Sequence, residues 1–163
     1  MLDLSKGPYA LKARSVPDLL VSLKTILPPH MTMAVKQVAL KKGGKTPSIQ
    51  IQDGLWRGAS LIILGTNQQL KLGAIIYKVP TFAAKAIVLI GTCAAFSVIF
   101  TLFASAMLGR FALVGMGGGF VGAIVSLNVE NMIARKLRDS PWSAELNRAI
   151  EEANALPTCP RSG

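Results

Sequence analysis

The sequence has few of the residues from which catalytic and metal sites are usually built. Its 163 residues include one histidine and two cysteines. His30 has no second histidine with which to share a metal ion or build a catalytic triad. Cys93 lies in an apolar run and Cys159 in the C-terminal tail, so no disulfide is predicted. We therefore predict no enzymatic activity, no cofactor and no bound metal.

Aromatic and acidic residues are also scarce. Aromatic residues make up 6% of the chain, and 18 Lys or Arg stand against 8 Asp or Glu, a net charge of +10. The first 85 residues hold 12 of the basic residues and only 3 of the acidic ones. Such a basic surface can attract anionic lipid headgroups at about 1 kcal/mol per Lys or Arg, or it can simply be solvated. Nucleic-acid binding would call for stacking aromatics or a recognition motif, so no nucleic-acid partner is expected.

Charge is missing altogether from two long apolar segments. Residues 86–109 give 24 uncharged positions and residues 111–129 another 19, with Arg110 alone between them. As helices they would be about 36 and 28 Å long, against roughly 30 Å for the hydrocarbon core of a bilayer. One continuous helix would place Arg110 in mid-bilayer at a cost of about 2.5–3.5 kcal/mol. The pattern predicts two transmembrane helices joined by a turn at 108–111, which is a membrane α-helical hairpin.

Basic residues flank both apolar segments. Three precede the first and three follow the second: Lys71, Lys78, Lys85, Arg135, Lys136 and Arg138. Positive residues favour the cytoplasmic or matrix side, so both termini and all six side chains are predicted at that membrane surface. Trp142 is expected to join them, because tryptophan is enriched at the interface. The expected partners are the lipid bilayer and other transmembrane helices.

The stretch "GMGGGFVG", residues 115–122, allows two interpretations. Its glycines match G-x-G-x-x-G, which can cradle a dinucleotide, but no second strand bearing an acidic residue follows at the required distance. Small residues spaced by three or four also let membrane helices approach closely. We favour this helix-packing interpretation, and the predicted positions are Gly115, Gly118, Gly119, Gly122 and Ser126.

The N-terminal half has a different pattern. Short alternating runs between Gly and Asx turns predict a β-meander, although residues 56–64 could instead be a helix lying on the membrane. Ser140 and Pro141 are typical of a helix start. The predicted organisation is an N-terminal segment with a short amphipathic helix (1–29), a small basic β-rich subdomain (30–80), the transmembrane hairpin (81–138), and a C-terminal amphipathic helix with a disordered tail (139–163).

Residues 104–142 carry a resemblance to a known family. They contain "GRFALVG" at 109–115, followed by a series of small and charged residues and then a tryptophan: Gly122, Ala123, Ser126, Glu130, Arg138 and Trp142. This order resembles the third span of the mitochondrial inner-membrane translocase family, which also supplies an accessory subunit of respiratory complex I. The resemblance implies a glycine-lined helix in an organelle inner membrane. The family has four spans, whereas nothing apolar follows Trp142 in this chain.

Two functions fit these features. The first is a small non-catalytic integral membrane protein, an accessory subunit or assembly factor of a larger membrane complex, with the mitochondrial inner membrane as the suspected location. The second is a protein that self-oligomerises into a pore, a translocase component or a membrane-shaping scaffold. The lack of polar residues in 86–109 favours the first, because a water-filled path needs a polar lining.

Overall fold

The computed structural model describes residues 8–39, 44–65, 69–108 and 115–156. These residues form five strands and four helices, which follow one another along the chain as β1 (Tyr9–Ala10), α1 (Val16–Ile26), β2 (Thr32–Ala39), β3 (Lys45–Asp53), β4 (Arg57–Leu64), β5 (Lys71–Tyr77), α2 (Phe82–Leu108), α3 (Gly115–Arg138) and α4 (Pro141–Ala155).

The predicted fold class, a hairpin of two transmembrane helices, is wrong. The described residues form a five-stranded antiparallel sheet with four helices, and among these helices only Phe82–Ala106 of α2 is long and apolar enough to cross a membrane. α3 fails because its glycines contribute little apolar surface and because Asn128, Glu130 and Asn131 make its second half polar. The predicted turn at 108–111 falls almost entirely on residues 109–114, which lie outside the described residues.

The sheet is a meander with one added edge strand. Its order is β1-β5-β4-β3-β2, and every neighbouring pair is antiparallel. Gly54 supplies the positive φ of 64° that the tight turn between β3 and β4 requires, and Gly65, directly after β4, has a φ of 113°. The predicted β-meander is therefore confirmed, and residues 57–64, whose conformation the sequence left open, form a central strand.

Helices α1 and α4 cover one face of this sheet. Ile49, Ile51 and Leu61 point into a shared core with α1 and α4, and all are almost completely buried. α1 starts where the Ser15 hydroxyl accepts a hydrogen bond of 3.2 Å from the Asp18 backbone N–H. α1, the sheet and α4 share this core, which the last turns of α3 join through Ile133 and Leu137. α2 and the rest of α3 extend away from it.

Candidate membrane-facing site

α2 is apolar on all sides, and α3 covers only one of them. Within its candidate membrane-spanning segment, Phe82–Ala106, only the small residues Ala84 and Ala104 are buried. Its large side chains are exposed around the helix, among them Ile87, Leu89, Ile90, Val98, Ile99, Leu102 and Phe103. A helix inside a soluble core would be buried on most sides. The exposed apolar surface of α2 is therefore the first feature of the site.

α3 runs antiparallel along α2 and touches it through glycine. A Cβ added to Gly118 would lie 2.5 Å from the Phe96 carbonyl oxygen, and one added to Gly122 would lie 2.6 Å from the Cys93 Cα. The two helix backbones are thus in direct contact at both glycines. Small residues permit this approach and the dispersion contacts that come with it.

Of the other three predicted packing positions, the structure describes the contacts of Ser126 but not those of the two glycines. Ser126, one helical turn after Gly122, is buried, and its hydroxyl donates a 2.7 Å hydrogen bond to the Ala123 carbonyl. Gly115 and Gly119 belong to α3, but the structure does not describe their contacts. All these glycines are helical, so no strand–turn–helix cradle is present over 115–122. That geometry disagrees with a dinucleotide site, in which the glycines form the turn.

The start of α2 is joined to the turn between β3 and β4. The Thr81 hydroxyl donates a 3.0 Å hydrogen bond to the Leu55 carbonyl and accepts one of 3.1 Å from the Ala84 N–H. Thr81 therefore caps the helix and ties it to the turn. Close to this link, Leu55 and Trp56 are 39% and 38% exposed, and Phe82 is 88% exposed.

Lys78 and Lys85 lie at this same end of the sheet. The Lys78 N–H donates a 2.9 Å hydrogen bond to the Gly58 carbonyl, next to the β3–β4 turn. Lys85 lies in the first turns of α2, and its ammonium is 3.8 Å from a Glu130 carboxylate oxygen. Lys71, in contrast, begins β5, about 23 Å along the strand from Lys78. The structure therefore separates Lys71 from the other two predicted membrane-surface lysines.

The basic end of α3 lies beside the sheet. Arg135, Lys136 and Arg138 are found in its last turns. Arg135 and Arg138 line a groove of about 450 Å³ together with Ile75, Ile76, Tyr77, Asn131 and Ala134. Cations at a helix C-terminus are favoured by the helix dipole, so these charges also have a local structural reason.

Trp142 is not at a surface. It is 5% exposed, belongs to the core, and meets the Tyr77 ring edge-on at a centroid distance of 6.2 Å. It is therefore unavailable to a membrane interface. The exposed tryptophan beside α2 is Trp56, which was not among the predicted membrane-surface residues. The sequence feature that could have pointed to Trp56 is its place in a turn, between the apolar Leu55 and the basic Arg57.

Burial and neighbouring charges perturb two groups at this end of the sheet. The pKa of the Lys78 ammonium is lowered, first by burial and then by the charges of Lys36 and Lys85. The pKa of the Tyr77 phenol is raised by burial, against the opposite effects of Ser143, Asn147 and Arg138. Lys78 is thus a partly desolvated cation among other cations, which is unfavourable unless an anion lies nearby.

No group of three or more His, Cys, Asp or Glu side chains within the described parts of the chain could hold a metal ion. Comparisons with family models, curated proteins and solved structures gave no significant match to this chain. The resemblance of residues 104–142 to the translocase family remains a prediction.

Proposed function

We propose that this chain is a non-catalytic membrane-anchored protein, with α2 inserted in the bilayer and the sheet at the membrane surface. The observation that carries the proposal is the exposure of α2: a charge-poor, span-length segment in which every residue except Ala84 and Ala104 is exposed or half-buried. A helix in a soluble core would be buried on most sides, whereas most of α2 is exposed.

The lateral surfaces of α2 and α3 support a role as a subunit of a larger complex. A Cβ added to Gly91 of α2 would meet no atom within 4 Å, so a small-residue position there faces outward. Phe120, Ile124 and Leu127 of α3 are exposed as well. These surfaces would face lipid or helices of partner proteins. The resemblance of 104–142 adds the mitochondrial inner membrane as the proposed location.

The alternative of a self-assembled pore has less support. Residues 86–108 of α2 bear no charged side chain, and a water-filled path requires polar groups along its wall. A mild-detergent extract separates the two functions by native size. A defined complex containing other proteins supports the accessory subunit, whereas a ladder of homo-oligomers supports the pore or scaffold.

The anchor is tested by a matched pair of valine substitutions. Val98 in α2 and Val35 in β2 are 58% and 50% exposed, so Lys at either position adds one charge to an open site. Val98→Lys should reduce integration into membranes, because Lys near the centre of a span costs about 2.5–3.5 kcal/mol. Val35→Lys should leave integration unchanged.

Integration is measured by alkaline extraction of membranes from cells that produce each variant. Wild type and Val35→Lys should stay in the membrane pellet, and Val98→Lys should move in large part to the supernatant or be degraded. Release of the wild-type chain by alkali, or equal behaviour of the two variants, would show that α2 is not in the hydrocarbon core.

A further inference from the structure

A basic cavity lies on the sheet face opposite α1 and α4. It has a volume of about 170 Å³, and its polar lining consists of Thr32, Lys36, Gln50, Gln52 and Lys78. Side chains alternate between the two faces of a strand, and Ile49 and Ile51 belong to the core face, so Gln50 and Gln52 point away from the core. Two of these polar side chains, Lys36 and Lys78, are cationic, and the other three can form hydrogen bonds.

Two buried hydroxyls lie on this face without a protein partner. Ser48 and Ser60 are 0% and 4% exposed, and neither hydroxyl has a hydrogen-bond partner among the described residues. Ser48 is directly across from Lys36 in the strand register, and Ser60 is across from Gln50. Buried polar groups normally have partners. The sheet therefore has spare hydrogen-bonding capacity next to the cavity.

Among the residues that the structure describes, no acidic side chain lines this cavity. Lys78 is partly desolvated, and the charges of Lys36 and Lys85 act on it unfavourably. The N-terminus of α2, which carries partial positive charge, lies beside it and has no acidic residue in its first turn. The Glu130 carboxylate pairs with Lys85 at 3.8 Å, and within the described residues neither Lys36 nor Lys78 forms a salt bridge. A bound anion would relieve the repulsion between these two lysines.

The position of the cavity indicates where such an anion would come from. Pro80 lines the cavity and leads directly into α2. The exposed side chains of Leu55, Trp56 and Phe82 lie at the same end of the sheet. Aromatic and basic side chains together are typical of the headgroup layer. If α2 is inserted, the cavity faces the layer that contains the lipid phosphates.

We propose that Lys36 and Lys78, with Gln50 and Gln52, bind the phosphate of an anionic phospholipid headgroup beside the start of α2. The proposal rests on the proposed membrane anchor and adds a specific lipid site to it. Lys36 and Lys78 supply charge, and the two amides supply hydrogen-bond donors to the phosphate oxygens.

The test uses the full chain in a non-ionic detergent, titrated calorimetrically with dihexanoyl-phosphatidylglycerol. Dihexanoyl-phosphatidylcholine and inorganic phosphate are titrated in parallel. Wild type should prefer the phosphatidylglycerol to both. The double variant Lys36→Gln/Lys78→Gln should bind it about thirtyfold more weakly. The double variant Lys24→Gln/Lys45→Gln removes the same charge from side chains that do not line the cavity and should change affinity no more than about threefold.

The outcomes separate the lipid site from the anchor. Lys36→Arg/Lys78→Arg, which keeps both charges, should retain the preference and controls for misfolding. Equal loss in both Gln variants, equal binding of the two lipids, or inorganic phosphate binding as tightly as the lipid would each overturn the site. If wild type resists alkaline extraction but shows no lipid preference, the site fails and the anchor stands. If wild type is released by alkali, the anchor itself fails.

Discussion

Filling the contact between α2 and α3 should separate the helices, and Gly122→Ala is the smallest change that does so. The added methyl carbon would lie 2.6 Å from the Cys93 Cα and 2.7 Å from the Thr92 carbonyl oxygen. Both are backbone atoms, which cannot move aside as a flexible side chain can. The helices must shift by roughly 1 Å to restore ordinary contact distances of about 3.5–4.0 Å. Overpacking of this kind costs about 1–3 kcal/mol.

Gly91→Ala provides the matched control. Gly91 lies in α2, and a methyl group there would meet nothing within 4 Å. Alanine is the better helix former by up to about 1 kcal/mol, so this variant should be neutral or slightly more stable. Gly122→Ala gains the same helix propensity, so this gain cancels when the two variants are compared. The expected difference in their free energies of unfolding is the packing cost, about 1–3 kcal/mol.

The assay is unfolding of the purified chain in mixed micelles with increasing sodium dodecyl sulfate, followed by the loss of helical circular dichroism. The midpoint of Gly122→Ala should fall clearly below that of Gly91→Ala. Gly118→Ala should behave like Gly122→Ala, since its methyl group would meet the Phe96 carbonyl at 2.5 Å. Equal midpoints for Gly122→Ala and Gly91→Ala would refute the view that the glycines hold the helices at this distance.

Two further predictions concern the core beneath the sheet. Trp142→Ala should destabilise the chain by about 3–5 kcal/mol, as is usual for a buried aromatic residue, whereas Trp56→Ala, at a half-exposed turn, should change the unfolding midpoint little. A larger loss of stability in Trp56→Ala than in Trp142→Ala would contradict the burial of Trp142. Because burial raises the pKa of the Tyr77 phenol above 10.0, its contribution to stability is fully present below pH about 10 and is lost as the pH rises through the higher folded-state value. Tyr77→Phe should therefore show a smaller loss of stability above pH about 10 than wild type, and an unchanged alkaline profile would contradict the assignment.

Local patterns predicted the sheet well. Alternation in β2 and β3 and the glycine turns after β3 and β4 are properties of a few consecutive residues. The start of α4 was equally local: Ser140 and Pro141 precede and open the helix as expected. Such features can be predicted from the sequence because they depend on local backbone geometry rather than on residues distant in the chain.

The burial of Trp142 and the separation of Lys71 from Lys78 depend on structure that the local sequence does not show. Trp142 follows the basic end of α3, as an interfacial tryptophan would, but α4 packs over the sheet and carries Trp142 against Tyr77. Lys71 and Lys78 are close in sequence, yet they lie at opposite ends of an extended strand. Sequence proximity to an apolar segment therefore did not predict proximity to the start of α2.

The contact between α2 and α3 also aligns the polar ends of the two helices. Cys93 meets Gly122, and eight residues further toward the sheet on each helix Lys85 meets Glu130 at 3.8 Å. The polar boundary therefore falls at the same level on both helices. Beyond that boundary α2 continues without charge through Leu108, about 34 Å, which is enough to cross a hydrocarbon core of roughly 30 Å. The described start of α3 packs its glycines on this apolar part of α2.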